Sequence, residues 1–151
     1  MDYDNETGKR FLERIETERV IWLTTISSGG MPQPRPVWFV WEQGDLIVYS
    51  HAGSKKLVHI ARNPNVSVHF NTDADGYDIQ VILGKAQVDP SLPPAHRHKA
   101  YSEKYGAEIL TLDMDEERYA ELYSVGLRIT PSRLRGLEPI PEEPGTGQKS
   151  V

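Results

Sequence analysis

From residue 20 to residue 50 the chain is built as short strand-forming runs joined by tight turns, and this pattern limits the fold more than any other feature. The β-branched and aromatic run 20–27 ends at Ser28-Gly29-Gly30, a second run extends through Pro32 to Trp41, and Glu42-Gln43-Gly44-Asp45 leads into a third at 46–50. Turns of this length close hairpins, so the segment is predicted to be a meander of three antiparallel strands. Pro32, Pro34 and Pro36 constrain the middle strand. Proline cannot donate to a ladder, so this backbone must lie at an edge, at a bulge or beside a ligand, until residues 37–41 resume ordinary pairing. Protection of an edge against aggregation is a compatible role for the same prolines.

The remaining elements are short. Phe11, Leu12 and Ile15 recur at helical spacing among charges, predicting an amphipathic first helix over 6–19 whose apolar stripe closes one barrel end. Ser54 is a candidate N-cap for a helix carrying Leu57, Ile60 and Ala61, stopped by Asn63-Pro64. A strand over 66–70, a turn at Asp73-Ala74-Asp75-Gly76 and a long return strand over 77–88 follow. Residues 93–123 read as helical with a break near Gly106, and 125–129 and 133–137 supply the last strand or strands. The fold class is therefore mainly β, a six-stranded antiparallel barrel with helices, and a βαβ nucleotide fold is disfavoured. Residues 1–137 form one domain in this reading, and 138–151, rich in Pro, Gly and polar residues, a disordered tail.

Composition narrows the chemistry. The chain has 151 residues, 38% of them hydrophobic, and no cysteine, which removes disulfides, thiolate metal sites and cysteine nucleophiles. A formal net charge of −5 argues against a nucleic-acid partner. Apolar runs are too short for a membrane span and the first residues are charged, so a cytoplasmic location is expected. Local charge runs against the total: between residues 33 and 62, Arg35, Lys55, Lys56 and Arg62 outnumber Glu42 and Asp45.

Lysines in the first turn of a helix oppose its dipole, at about 0.3–1 kcal/mol each. Lys55 and Lys56 directly after Ser54 therefore call for an anion at that terminus, and a phosphate suits the hydroxyl, the helix amides and the two ammonium groups together. A solvated helix face is the plainer reading of the same pair.

Taken in order, Arg19-Val20-Ile21-Trp22-Leu23-Thr24-Thr25, the Gly-x-Pro-like turn into Gln33-Pro34, Pro36-Val37-Trp38-Phe39, Tyr49-Ser50, Ser54-Lys55-Lys56, Arg62-Asn63-Pro64 and Pro93-Pro94-Ala95-His96 resemble the flavin-reductase-like split β-barrels related to pyridoxamine 5'-phosphate oxidase. The likeness is to the actinobacterial deazaflavin-dependent branch, extends over 18–137 and includes residues 101–106. It implies an FMN-binding-type split barrel, a homodimer, and a groove holding coenzyme F420, or FMN in other branches. Carried over by position, Gln33, Pro34, Arg35, Pro36 and Val37 line the cofactor ring, Ser50, Ser54, Lys55 and Lys56 hold its phosphate, and Arg62 contacts the acidic F420 tail, with His51 beside them. The implied activity is hydride transfer from reduced F420 to an electron-poor small molecule; an FMN-dependent enzyme and a non-catalytic cofactor- or haem-binding protein are the alternatives. Ser54 stands where many relatives have arginine, and Arg133-Leu134-Arg135-Gly136 does not reproduce the substrate motif of true pyridoxamine phosphate oxidases, which disfavours vitamin B6 chemistry.

His51 is the one catalytic candidate, as a proton donor, against a reading as a surface or anion-contacting residue. His96 and His98 stand two apart, on different faces of a helix, and no metal is predicted from them. Trp22, Trp38, Phe39 and Trp41 read as core or interface aromatics. Tyr101, Tyr105 and Tyr119 read equally as packing and as pocket walls. No paired carboxylates or nucleophile elbow point to a hydrolase.

Overall fold

The structure, a computed structural model, describes residues 1–137. The tail expected from Glu138 onward lies outside them. Helix α1 (Glu6–Thr17) begins at Asn5, whose side-chain oxygen accepts from the Gly8 N–H at 2.8 Å. It buries Phe11 and Ile15 in the barrel core. Arg14, 6% exposed, ties α1 to the chain at 71–80, donating to the carbonyls of Asn71 and Asp78 and to the side chains of Gln80 and Glu18.

Seven antiparallel strands follow: β1 (Ile21–Ile26), β2 (Pro32–Val37), β3 (Val40–Glu42), β4 (Asp45–Ser50), β5 (Asn65–His69), β6 (Val81–Val88) and β7 (Val125–Arg135), with α2 (Lys55–Arg62) between β4 and β5. Their spatial order is β2-β1-β5-β6-β7-β4-β3. Thus β2 and β3, separated only by Trp38 and Phe39, are the two opposite edges of one sheet. That short link forces the sheet to curl until its edges nearly meet. The expected single middle strand is two strands, because its first half pairs with β1 and its second with β4.

Other boundaries also differ from expectation. The return strand begins at Val81 rather than Tyr77, because Asp78 adopts φ 60° and its carbonyl bonds Arg14. The last segment is one strand, its register shifted opposite Leu83 and Gly84 so that Ser132 is bulged between Pro131 and Arg133. The ladder passes so close there that a Cβ on Gly84 would lie 2.5 Å from the Thr130 carbonyl oxygen.

A 3₁₀ turn (Ala95–Arg97), α3 (Lys99–Leu110) and α4 (Glu116–Leu122) occupy the insertion before β7. Helix α3 runs through Gly106, and the break falls at 111–115, where Asp113 has φ 56° and Asp115 caps α4 by accepting from the Arg118 N–H. Strand β4 is buried on both faces: Leu46 and Val48 point into the barrel core, while Ile47 and Tyr49 meet Tyr101, Tyr105, Ile109 and Tyr119 beneath the helices. Among the described residues no helix is long and apolar enough to cross a membrane.

Candidate functional site

The end of β4, the loop after it and the start of α2 meet around one ammonium group. Lys56 Nζ donates to Ser50 Oγ at 3.1 Å and to Ser54 Oγ at 2.9 Å. Ser50 is buried and donates in turn to the His51 carbonyl. Ser54 occupies the N-cap position of α2, but its hydroxyl serves Lys56 rather than a helix amide. Burial, and then the nearby Arg35 guanidinium, lower the pKa of Lys56. Among the described residues Arg35, Lys55, Lys56 and Arg62 form no ion pair, whereas Arg10, Arg14, Arg19 and Arg128 all do. Of these, Arg35 and Lys56 are near enough to interact, so two positive charges without a carboxylate partner stand together at this end of the barrel.

Beside Lys56 opens a cavity of about 340 Å³ lined by Val20, Pro36, Val37, Trp38, Tyr49, Leu112, Tyr119 and Tyr123. Four of the nine lining residues are aromatic, and none is a carboxylate. Trp38 stacks on Tyr105 with centroids 4.6 Å apart and planes 1° apart, and Tyr119 stacks on Tyr123 at 4.3 Å. The hydroxyls of Tyr101 and Tyr119 are 2.7 Å apart, and burial raises the pKa of both, that of Tyr119 to about 12. These phenols stay neutral near pH 7 and present fixed dipoles rather than charges.

Helix α3 holds the strand switch that carries Trp38. Tyr105 Oη accepts from the Phe39 N–H at 2.9 Å and lies within hydrogen-bond distance of the carbonyls of Phe39 and Arg19. Lys104 Nζ donates to the Phe39 carbonyl at 3.0 Å and sits 3.7 Å from the centroid of the Phe39 ring. Burial, followed by the charge of Arg19, pushes Lys104 down to about 8, against the opposing pull of Glu16 and Glu18. With its folded pKa below the ordinary lysine value of about 10.4, Lys104 binds fewer protons in the folded state than in the unfolded one across that interval. Stability should therefore rise as pH climbs from about 8. The buried tyrosines, with raised pKa values, act in the opposite direction only above about 10, where unfolded phenols ionise. Urea midpoints compared between pH 7.5 and 9.5 should rise less in Lys104→Met than in the unsubstituted protein; equal rises would remove Lys104 as their source.

The residues singled out in the sequence fall into three groups. Pro36, Val37 and Lys56 line the cavity, and Ser50 and Ser54 join it through Lys56. Arg35 reaches Lys56 electrostatically, and His51 packs on the cavity-wall residue Tyr123 with centroids 4.1 Å apart. Gln33, Pro34, Lys55 and Arg62 are exposed and outside the lining, Arg62 in the last turn of α2 while Lys56 is in the first. Val20, Tyr49, Leu112 and Tyr123 were not anticipated, and Trp38, expected as a core or interface aromatic, is part of the cavity wall. Leu112, largely exposed at the α3–α4 break, carried no periodic signal that could have marked it. His96 sits in the 3₁₀ turn and His98 at the N-cap of α3, where its Nδ1 accepts from the Tyr101 N–H. They are not two residues of one continuous helix.

The sequence model described as pyridoxamine 5'-phosphate oxidase matches residues 7–138, most of the chain. The chain belongs to the pyridoxamine 5'-phosphate oxidase family. Among solved structures of this split-barrel fold, a conserved hypothetical protein of Mycobacterium tuberculosis is 23% identical, with a TM-score of 0.66 over 95% of this chain and 94% of its own. An F420 reductase is 20% identical, with a TM-score of 0.63 over 82% and 94%. The haem storage protein HutZ of Vibrio cholerae is 14% identical, with a TM-score of 0.60 over 87% and 95%. No curated protein sequence matches the chain. At these identities the likenesses establish the shared family fold, an antiparallel sheet curled into a half-barrel with helices.

Proposed function

We propose that the chain is an F420-dependent oxidoreductase acting as a homodimer, with the phosphate end of the cofactor on Lys56, Ser50, Ser54 and Lys55 and the ring against Pro36, Val37 and Trp38. The observation that carries this reading is the Lys56 ammonium, drawn from water onto two hydroxyls, near a second cation, with no carboxylate partner. Such an arrangement is costly without an anion and strong with one. The adjoining cavity, about 340 Å³ and lined by apolar and aromatic side chains beside Lys56, falls within the ordinary range of small-molecule sites. Arg35 and Arg62 are the basic groups available to the acidic tail of F420.

When bound, reduced F420 supplies the hydride, so the protein's tasks are to bind, orient and exclude water. Lys56 neutralises the phosphate. Trp38, stacked on Tyr105 and 5.8 Å from the Tyr119 ring, gives a flat aromatic wall that Tyr123 extends by stacking on Tyr119. The absence of cysteine and of a paired-carboxylate motif fits an active site whose chemistry comes from the cofactor. His51, packed on the cavity-wall residue Tyr123, is the candidate to hand a proton to the product.

The direct test is to mix the protein with reduced F420 and a panel of electron-poor acceptors, following return of the oxidised chromophore. Acceptor-dependent oxidation above the protein-free rate supports the reading. Oxidation with none, despite bound cofactor, would leave a carrier role instead. A second reading keeps the cavity for haem, because His51 offers an imidazole beside Tyr123. A haem Soret band abolished by His51→Ala would favour it.

A further inference from the structure

The proline-rich strand β2 borders the candidate cavity and has a one-sided hydrogen-bonding edge. It pairs residue for residue with β1: Trp22 opposite Pro36, Leu23 opposite Arg35, Thr24 opposite Pro34, Thr25 opposite Gln33 and Ile26 opposite Pro32. In an antiparallel pair, alternate residues exchange both backbone bonds with the partner strand, and those between turn theirs away. Proline has no N–H to exchange. Hence Gln33, Arg35 and Val37 bond to β1, and the backbones of Pro32, Pro34 and Pro36 turn outward. Because β2 ends the sheet, its free edge carries carbonyl oxygens at those positions and no N–H at any of them. Pro36, on this acceptor-only edge, is also one of the residues that line the cavity.

We infer that Pro36 is a specificity-determining residue, which disfavours oxidised flavin at this site while admitting deazaflavin; the inference rests on the function proposed above. The two tricycles differ at ring position 5. Oxidised flavin has a nitrogen there, whose lone pair loses its water on burial and needs a donor in exchange. Deazaflavin has C–H at the same position, which needs no donor and makes a weak favourable contact with a carbonyl oxygen. A carbonyl edge thus leaves the flavin nitrogen unsatisfied and facing another lone pair, while deazaflavin sits against it without penalty. Edge protection against aggregation explains proline at these positions equally well. It predicts no effect on the choice between two cofactors.

Pro36→Ala restores an outward N–H at the cavity, and Pro36→Thr restores the same group with a strand-favouring side chain. Titrations of each variant with F420 and with FMN should show the ratio of affinities moving toward FMN by about three- to tenfold, as one new hydrogen bond allows. Pro32→Ala lies on the same edge but outside the cavity lining, and should leave the ratio unchanged. An unchanged ratio in both Pro36 variants, with F420 still bound, would overturn the role of Pro36 and leave the proposed function standing. An FMN preference in the unsubstituted protein would likewise overturn that role. If the unsubstituted protein binds neither cofactor, the proposed function fails and this inference fails with it.

Discussion

Replacing Phe39 by alanine should destabilise the protein by about 3–5 kcal/mol, the usual cost of removing a fully buried phenyl ring. Phe39 is wholly enclosed, packs within 6.4 Å of Phe70 and supports the Lys104 ammonium on its face. It also stands where the chain leaves one sheet edge for the other, so the void would open at the barrel seam. Against a typical net stability of about 5–15 kcal/mol, the loss is a large share of the total. Denaturant titration of Phe39→Ala and Phe39→Leu gives the check, with the leucine variant expected to retain much of the difference because it fills most of the volume. A loss below about 1 kcal/mol in Phe39→Ala would show that the seam does not depend on this ring.

The second large effect is expected in binding rather than folding. Lys56→Ala removes the ammonium held by Ser50 and Ser54, and should weaken cofactor binding by about 1.5–3 kcal/mol, the worth of a charged hydrogen bond, or roughly 10- to 150-fold. Stability should not fall correspondingly, because burial and Arg35 already disfavour the charge of Lys56, and no carboxylate partner is stranded by its loss. An unfolding midpoint equal to or above that of the parent, together with lost affinity, is the expected pair of results. Unchanged affinity would remove Lys56 from the site.

Local features of the structure were legible where local chemistry decides them. Ser28-Gly29-Gly30 and Gln43-Gly44 closed the hairpins as expected, with Gln43 at φ 51° and Gly44 at φ 83°. Asn63-Pro64 stopped α2. What stayed hidden depended on partners far along the chain. Nothing within residues 37–41 marks Trp38 and Phe39 as a crossing between sheet edges, since the division arises from pairing with β1 on one side and β4 on the other. The late start of β6 follows from Arg14, more than sixty residues earlier, claiming the Asp78 carbonyl. Gly106 looked like a helix break but sits inside α3, where Glu116 packs against it, while Asp115 supplied the true start of α4.

The candidate site divides in the same way. Ser50, Ser54 and Lys56 lie within a few residues of one another; the clash of lysine with a helix N-terminus marked Lys56 behind its N-cap Ser54, while Ser50 came from the family resemblance. The opposite wall comes from Leu112, Tyr119 and Tyr123, brought across only when the α3–α4 insertion folds over β4. Their approach is a tertiary event without a sequence signature. Tyr119 reads from sequence equally as packing and as a pocket wall, and it lines the cavity, whereas nothing in the sequence marks Leu112 or Tyr123 as lining.

The most direct test of the account is an equilibrium titration of the purified protein with coenzyme F420 and, separately, FMN, read through quenching of tryptophan and cofactor fluorescence, with Trp38 in the cavity wall as the reporter. The account predicts micromolar binding of F420, weaker binding of FMN, and a loss of F420 affinity when inorganic phosphate competes at Lys56. Binding of neither cofactor would contradict it.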